Sequence, residues 1–149
     1  ISGFLWLVWP SVPWYNGADG KTGEDGVEQK FEDVLAALCT LRVGAADSEE
    51  RLHEQAAEAF ARAGLEAAHE VRLGPRCRID FMVGGIGIEI KKKRPQRAPL
   101  TAQLARYAGC PQVGRLIVLA PRGIDLPKTI GGKPVTMLSL EKLWGIMLP

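Results

Sequence analysis

Gly84-Gly85 stands between two short apolar runs, Ile79-Asp-Phe-Met-Val83 and Ile86-Gly-Ile-Glu-Ile-Lys91. Both residues of a glycine pair tolerate positive φ, so the spacing predicts a β-hairpin with a two-residue turn. That turn sets the pairing: Val83 with Ile86, Met82 with Gly87, Phe81 with Ile88 and Asp80 with Glu89. Side chains alternate between the faces of a strand. One face is then expected to hold Ile79, Phe81, Val83, Ile86, Ile88 and Ile90, and to be a core face. The other is expected to hold Arg78, Asp80, Met82, Gly87, Glu89 and Lys91. It sets two carboxylates opposite one another, with a lysine two residues past the second.

Like charges opposed across a ladder repel, with Cβ atoms about 5 Å apart. A hard divalent cation between them removes the conflict, because Mg²⁺ takes one or two carboxylates and completes its shell with water and phosphate oxygens. The chemistry that follows is metal-assisted hydrolysis of a phosphodiester, with Lys91 adding positive charge or steering an attacking water. The residues alone equally suit an Asp–Lys or Glu–Arg pair on a solvated sheet face.

Asp80 followed by Glu89-Ile90-Lys91 on the next strand, after a helix, resembles the PD-(D/E)xK nuclease superfamily. Gln103-Leu-Ala-Arg-Tyr107 on the following helix is similar to the Q-x-x-x-Y motif of its RecB-like branch. Ile79 stands where the name of the motif has proline. The resemblance covers about residues 48–145. It implies an α/β fold with a restriction-endonuclease-like core: a central mixed β-sheet flanked by helices, in the order αβββαβ, followed by a C-terminal strand and helix. It implies Mg²⁺ or Mn²⁺ held by Asp80, Glu89 and the Ile90 backbone carbonyl, with His53 or Glu49 as a further ligand. It implies that Gln103 and Tyr107 point toward the active site and orient DNA or the catalytic Lys91. Read without the resemblance, His53 suits a partly buried helix histidine, Glu49 a first-turn acid favourable to the helix dipole, and Gln103 with Tyr107 an ordinary helix-edge pair.

The net charge of +2 hides a split. Residues 1–70 have 5 Lys/Arg against 13 Asp/Glu, while residues 71–135 have 13 against 3. A basic half around the hairpin suits a polyanionic partner, which the nuclease resemblance implies is DNA, although acidic helices neutralising a basic sheet would give the same count. Lys92, Lys93, Arg94 and Arg97 follow Lys91 directly, and with Arg76, Arg78 and Arg106 they are the candidate phosphate contacts. Three widely spaced cysteines, Cys39, Cys77 and Cys110, form neither a zinc pattern nor a disulfide framework, so a reducing compartment is expected; the nuclease resemblance implies a cytoplasmic, bacterial or phage-encoded setting.

The rest of the chain reads as follows. Residues 1–47 are an N-terminal extension and 48–149 the nuclease-like domain. Phe4-Leu-Trp-Leu-Val-Trp9 belongs to an apolar run too short for a membrane span, without the basic flank of a signal peptide. Trp6, Trp9 and Trp14 are expected to pack on the domain or on a second subunit rather than to stack on bases, so the extension is a candidate homodimer contact. Tyr15–Gly26 reads as a linker. Val27–Arg42 is an amphipathic helix with the stripe Val27, Phe31, Val34, Leu35, Leu38 and Leu41. Ser48 caps a helix over 49–63, with Leu52, Ala56, Ala59, Phe60 and Ala63 buried. His69–Leu73 is the first strand, with Glu70 a spare acid or a partner of Arg72 or Arg78. Pro99 or Leu100 starts a helix ended by Gly109. Arg115–Ala120 is a strand buried on both faces, 123–134 a loop, Val135–Leu140 a last strand, and Leu140–Met147 a short helix with Trp144 on the core. Two other classes stay open from the residues: a catalytically inactive nucleic-acid-binding module of the same fold, and an assembly protein built on the Trp-rich start.

Overall fold

A central mixed β-sheet is flanked by helices on both faces, an α/β fold. The computed structural model describes residues 22–42 and 47–142. The Trp-rich segment, most of the linker, Trp144 and the end of the last helix lie outside the described residues, and so does any dimer contact they make. In chain order the elements are α1 (Thr22–Cys39), α2 (Glu49–Arg62), β1 (Ala68–Gly74), β2 (Cys77–Val83), β3 (Ile86–Ile90), α3 (Arg97–Ala108), β4 (Arg115–Ala120), β5 (Thr129–Ile130) and β6 (Lys133–Ser139). The strand order is β1-β2-β3-β4-β6-β5. The pairs β3–β4 and β4–β6 are parallel, and the others antiparallel. No helix among the described residues is long and apolar enough to cross a membrane.

The hairpin forms in the expected register, with Phe81 opposite Ile88, Met82 opposite Gly87 and Val83 opposite Ile86. Gly84 has φ 59°, the left-handed turn conformation that glycine adopts without penalty. Two hydrophobic layers cover the sheet. On one side α1 and α2 bring Phe31, Val34, Leu38, Leu52 and Phe60 onto Phe81, Val83, Ile86, Ile88, Ile90, Ile117 and Leu119. On the other α3 brings Leu100, Leu104 and Tyr107 onto Val71, Leu73, Ile79, Met82, Leu116 and Val118. β3 and β4 are therefore buried on both faces, as a parallel pair between helices must be.

Ile79 lies on the opposite face from the one its alternation predicts. It does not share a face with Phe81 and Val83 but packs under α3 with Met82. A Cβ at Gly87 would meet Ile79 Cδ1 at 2.6 Å and Met82 Sδ at 3.4 Å, so the three positions meet on that face. Regular alternation would keep residues 79 and 81 on one face, so the phase turns over at Asp80. The neighbouring strand does the same. Ala68 packs against the α3 layer, and so do Val71 and Leu73. That odd spacing is produced at Glu70, a non-glycine residue with φ 52°. Glu70 and Asp80 fall opposite one another, between the pairs His69–Phe81 and Val71–Ile79, and neither belongs to a ladder pair. A local twist at one level thus turns both strands while keeping their register.

Other boundaries moved for simple reasons. α1 begins at Thr22, so residues 22–26 are helix rather than linker; once nucleated by packing, a helix extends at little cost per residue. Ala63 is the exposed C-cap of α2, and His53 takes a place in the buried stripe. α3 starts at Arg97, which places Pro99 in the first turn, where its missing N–H has no helical partner to lose. The segment read as a loop over 123–134 contains β5, joined to β6 through Gly131-Gly132, both with positive φ. Ser48 Oγ accepts the Arg51 N–H, as its capping role requires.

Candidate active site

Four elements converge where β3 ends. The first turns of α2 supply Glu49 and His53, the twist in β2 supplies Asp80, the last residues of β3 supply Glu89 and Ile90, and α3 supplies Gln103 and Tyr107. Because the phase turns over at Asp80, its side chain lies in neither core layer. Asp80 Oδ2 accepts the Ile90 N–H at 2.7 Å and lies 3.8 Å from His53 Nε2. The expected cross-strand partnership of Asp80 with Glu89 is therefore side chain to neighbouring backbone, beyond the last ladder pair.

Glu89 is buried, only 5% exposed. Burial and then the Asp80 charge raise its pKa to about 7, against the smaller opposing pull of Lys91 and the Tyr107 hydrogen bond. Lys91 Nζ lies 3.5 Å from Glu89 Oε1. The Tyr107 hydroxyl lies 2.8 Å from Glu89 Oε2 and 2.8 Å from the Arg78 carbonyl oxygen, and accepts the Gln103 side-chain N–H at 2.9 Å. Burial, then the nearby Glu89, drive the phenol pKa far up, so its one proton stays in place. That proton serves one acceptor at a time. With Glu89 neutral, its O–H donates to Tyr107, and Tyr107 donates to the Arg78 carbonyl. With Glu89 ionised, Tyr107 turns its proton to the carboxylate. The i, i+4 pair Gln103–Tyr107 is thus a support for Glu89.

Tyr107→Phe would leave the Arg78 carbonyl and the Gln103 amide without that partner. It is expected to cost about 1–3 kcal/mol of stability and to raise the Glu89 pKa further by removing a donor. Urea melts and a carboxyl titration by ¹³C NMR read the two effects. A stability change below ~0.5 kcal/mol, within the range of ordinary surface substitutions, would show that the network holds nothing.

On the other side of Asp80 sits His53, 8% exposed. Its Nδ1 is 2.7 Å from His69 Nε2, a hydrogen bond. Its Nε2 is buried without a hydrogen-bond partner among the described residues, 3.8 Å from Asp80 Oδ2 and 3.9 Å from Glu49 Oε1. Those separations are too long for hydrogen bonds. They suit two ligands of one cation, which at bonds of about 2.1 Å stand roughly 3–4 Å apart. His53, His69 and Glu70 also offer one ligand atom each, all within 4.8 Å of one another, a set able in principle to hold a divalent cation.

His69 and Glu70 are the residues that sequence reasoning undervalued. The sequence pattern marks His69 only as the start of a strand, although it and His53 are the two histidines of the chain. Glu70 makes no ion pair with Arg72 or Arg78 among the described residues; the αL kink sets it beside the histidines instead. Arg76, Arg78, Lys92, Lys93, Arg94, Arg97 and Arg106 are all exposed. Cys77 is buried, with a thiol pushed up to about 11 by burial and by Cys110, whose Sγ lies 3.8 Å away; both are free thiols. No protein-family model, curated protein or solved structure matches the chain.

Proposed function

We propose that the chain is a metal-dependent deoxyribonuclease of the PD-(D/E)xK type, hydrolysing phosphodiester bonds in DNA. The observation that carries the reading is the buried Nε2 of His53, without a hydrogen-bond partner among the described residues and aimed at Asp80, next to the buried acid Glu89. A basic, exposed segment follows directly, as a site that handles phosphates needs.

Asp80, Glu89, the Ile90 carbonyl and His53 would hold Mg²⁺ or Mn²⁺, with Glu49 at the rim. Of the two nitrogens of His53, Nε2 suits the cation better, because Nδ1 already shares a proton with His69. When bound, the cation lowers the pKa of a water and offsets charge on the phosphate in the transition state. Lys91 adds a positive charge beside Glu89 and positions the water. Gln103 and Tyr107 hold Glu89 in its rotamer. Lys92, Lys93, Arg94 and Arg97, with Arg76, Arg78 and Arg106, contact the DNA backbone. The setting is intracellular, as three free thiols suit.

Linear and circular DNA, single- and double-stranded, incubated with Mg²⁺, Mn²⁺ or EDTA beside a Lys91→Ala control, tests this. Products that need the cation and fall by about 10²-fold or more in the variant are the expected result, and the preference for circular or linear DNA separates endonuclease from exonuclease. Salt-sensitive DNA binding with no cleavage of any substrate would instead make the chain a binding module.

A further inference from the structure

We infer that His69 is a positioning residue for the cation site. It accepts the Nδ1 proton of His53 and so keeps the His53 Nε2 lone pair facing Asp80. The inference rests on the cation reading above and names a residue outside the D…ExK and QxxxY pattern.

The hydrogen bond between the two rings holds one proton over 2.7 Å, and it can sit on either nitrogen. If His69 Nε2 carried it, a neutral His53 would hold its own proton on Nε2. That N–H would be buried with its nearest carboxylate oxygens at 3.8 and 3.9 Å, out of hydrogen-bond reach. If His53 Nδ1 carries it, His53 Nε2 is a lone pair directed at the place where a cation between His53 and Asp80 would lie. A ligating histidine generally donates its other N–H to a fixed acceptor, which sets both tautomer and ring direction. Here the acceptor is an imidazole, itself held by packing. The His69 ring stacks on Phe81 with centroids 4.6 Å apart and an interplanar angle of 27°. Phe81 also touches the His53 ring, with centroids 5.7 Å apart, so one buried phenyl registers both imidazoles. The αL conformation of Glu70 is the backbone feature next to His69 that accompanies this placement.

His69 is exposed, so its replacement leaves little void. Mn²⁺ binding by calorimetry on the full chain, with wild type, His69→Ala and His69→Gln, reads the effect without any cleavage. His69→Ala is expected to weaken Mn²⁺ binding by about 10–100-fold. His69→Gln, whose side-chain carbonyl can still accept the Nδ1 proton, is expected to stay within about threefold of wild type. In the Mg²⁺-loaded, ¹⁵N-labelled protein, with only two histidines to assign, long-range ¹H–¹⁵N spectra are expected to show His53 protonated at Nδ1. Equal affinity of His69→Ala and wild type, a Gln variant as weak as the Ala variant, or a His53 proton on Nε2 would each overturn the inference. A chain that binds Mn²⁺ as expected yet cleaves nothing would remove the nuclease reading and leave this one standing.

Discussion

Asp80→Asn is expected to lower Mg²⁺-dependent DNA cleavage by about 10³-fold or more, on the order of 4 kcal/mol of transition-state stabilisation, while the chain stays folded. The two effects separate because Asp80 does two things. Its carboxylate faces His53 Nε2 and neighbours Glu89, the arrangement behind its proposed cation role. Its Oδ2 also accepts the Ile90 N–H, which is structural, and an asparagine carbonyl can accept the same bond. The substitution also removes a negative neighbour that raises the Glu89 pKa, so Glu89 would ionise at lower pH than before. Single-turnover cleavage with thermal melts of both proteins is the measurement. Cleavage within tenfold of wild type would take Asp80 out of the chemistry.

The metal-free chain is expected to lose stability as pH rises from about 5 to 8, against the usual behaviour of carboxylates, and Glu89→Gln is expected to flatten that slope. Burial and the Asp80 charge move Glu89 from 4.5 to about 7 in the fold. Between those values the folded chain retains a proton that the unfolded chain has released, so each step up in pH favours unfolding, and the loss is complete above pH 7. One carboxyl displaced this far contributes on the order of 3 kcal/mol at most, several degrees in melting temperature for a domain of this size. A saturating divalent cation should reverse the trend, because it requires Glu89 ionised and binds only the fold. Melts at pH 5, 6, 7 and 8 in EDTA and in Mg²⁺ test both parts. The same slope in wild type and Glu89→Gln would place the titrating group elsewhere.

How much of this was legible in the sequence depended on how local each determinant is. Gly84-Gly85 fixed a turn and hence three cross-strand pairs, because a two-residue loop leaves no freedom in register. The partnership of Gln103 with Tyr107 followed from their spacing on a helix. The face of Ile79 did not follow, because nothing in the residue types marks Glu70 as the position that takes φ 52°. The His53–His69 bond joins residues sixteen apart that only the packing of α2 on the sheet brings together. The β5–β6 hairpin is a different kind of omission. Gly131-Gly132 repeats the signal read at Gly84-Gly85, but only Thr129-Ile130 precedes it and Pro134 follows, too little β-forming sequence to mark a strand.

The kink at Glu70 also bears on association. Among the described residues β1 is an outer strand of the sheet, and a long flat outer strand is a template on which another chain can add itself. This one is interrupted by the left-handed Glu70, whose charged side chain is exposed, as is that of Arg72. An incoming strand that reached Glu70 would find its hydrogen-bonding groups out of step there. The backbone feature that lies opposite Asp80 thus also disfavours edge-to-edge pairing.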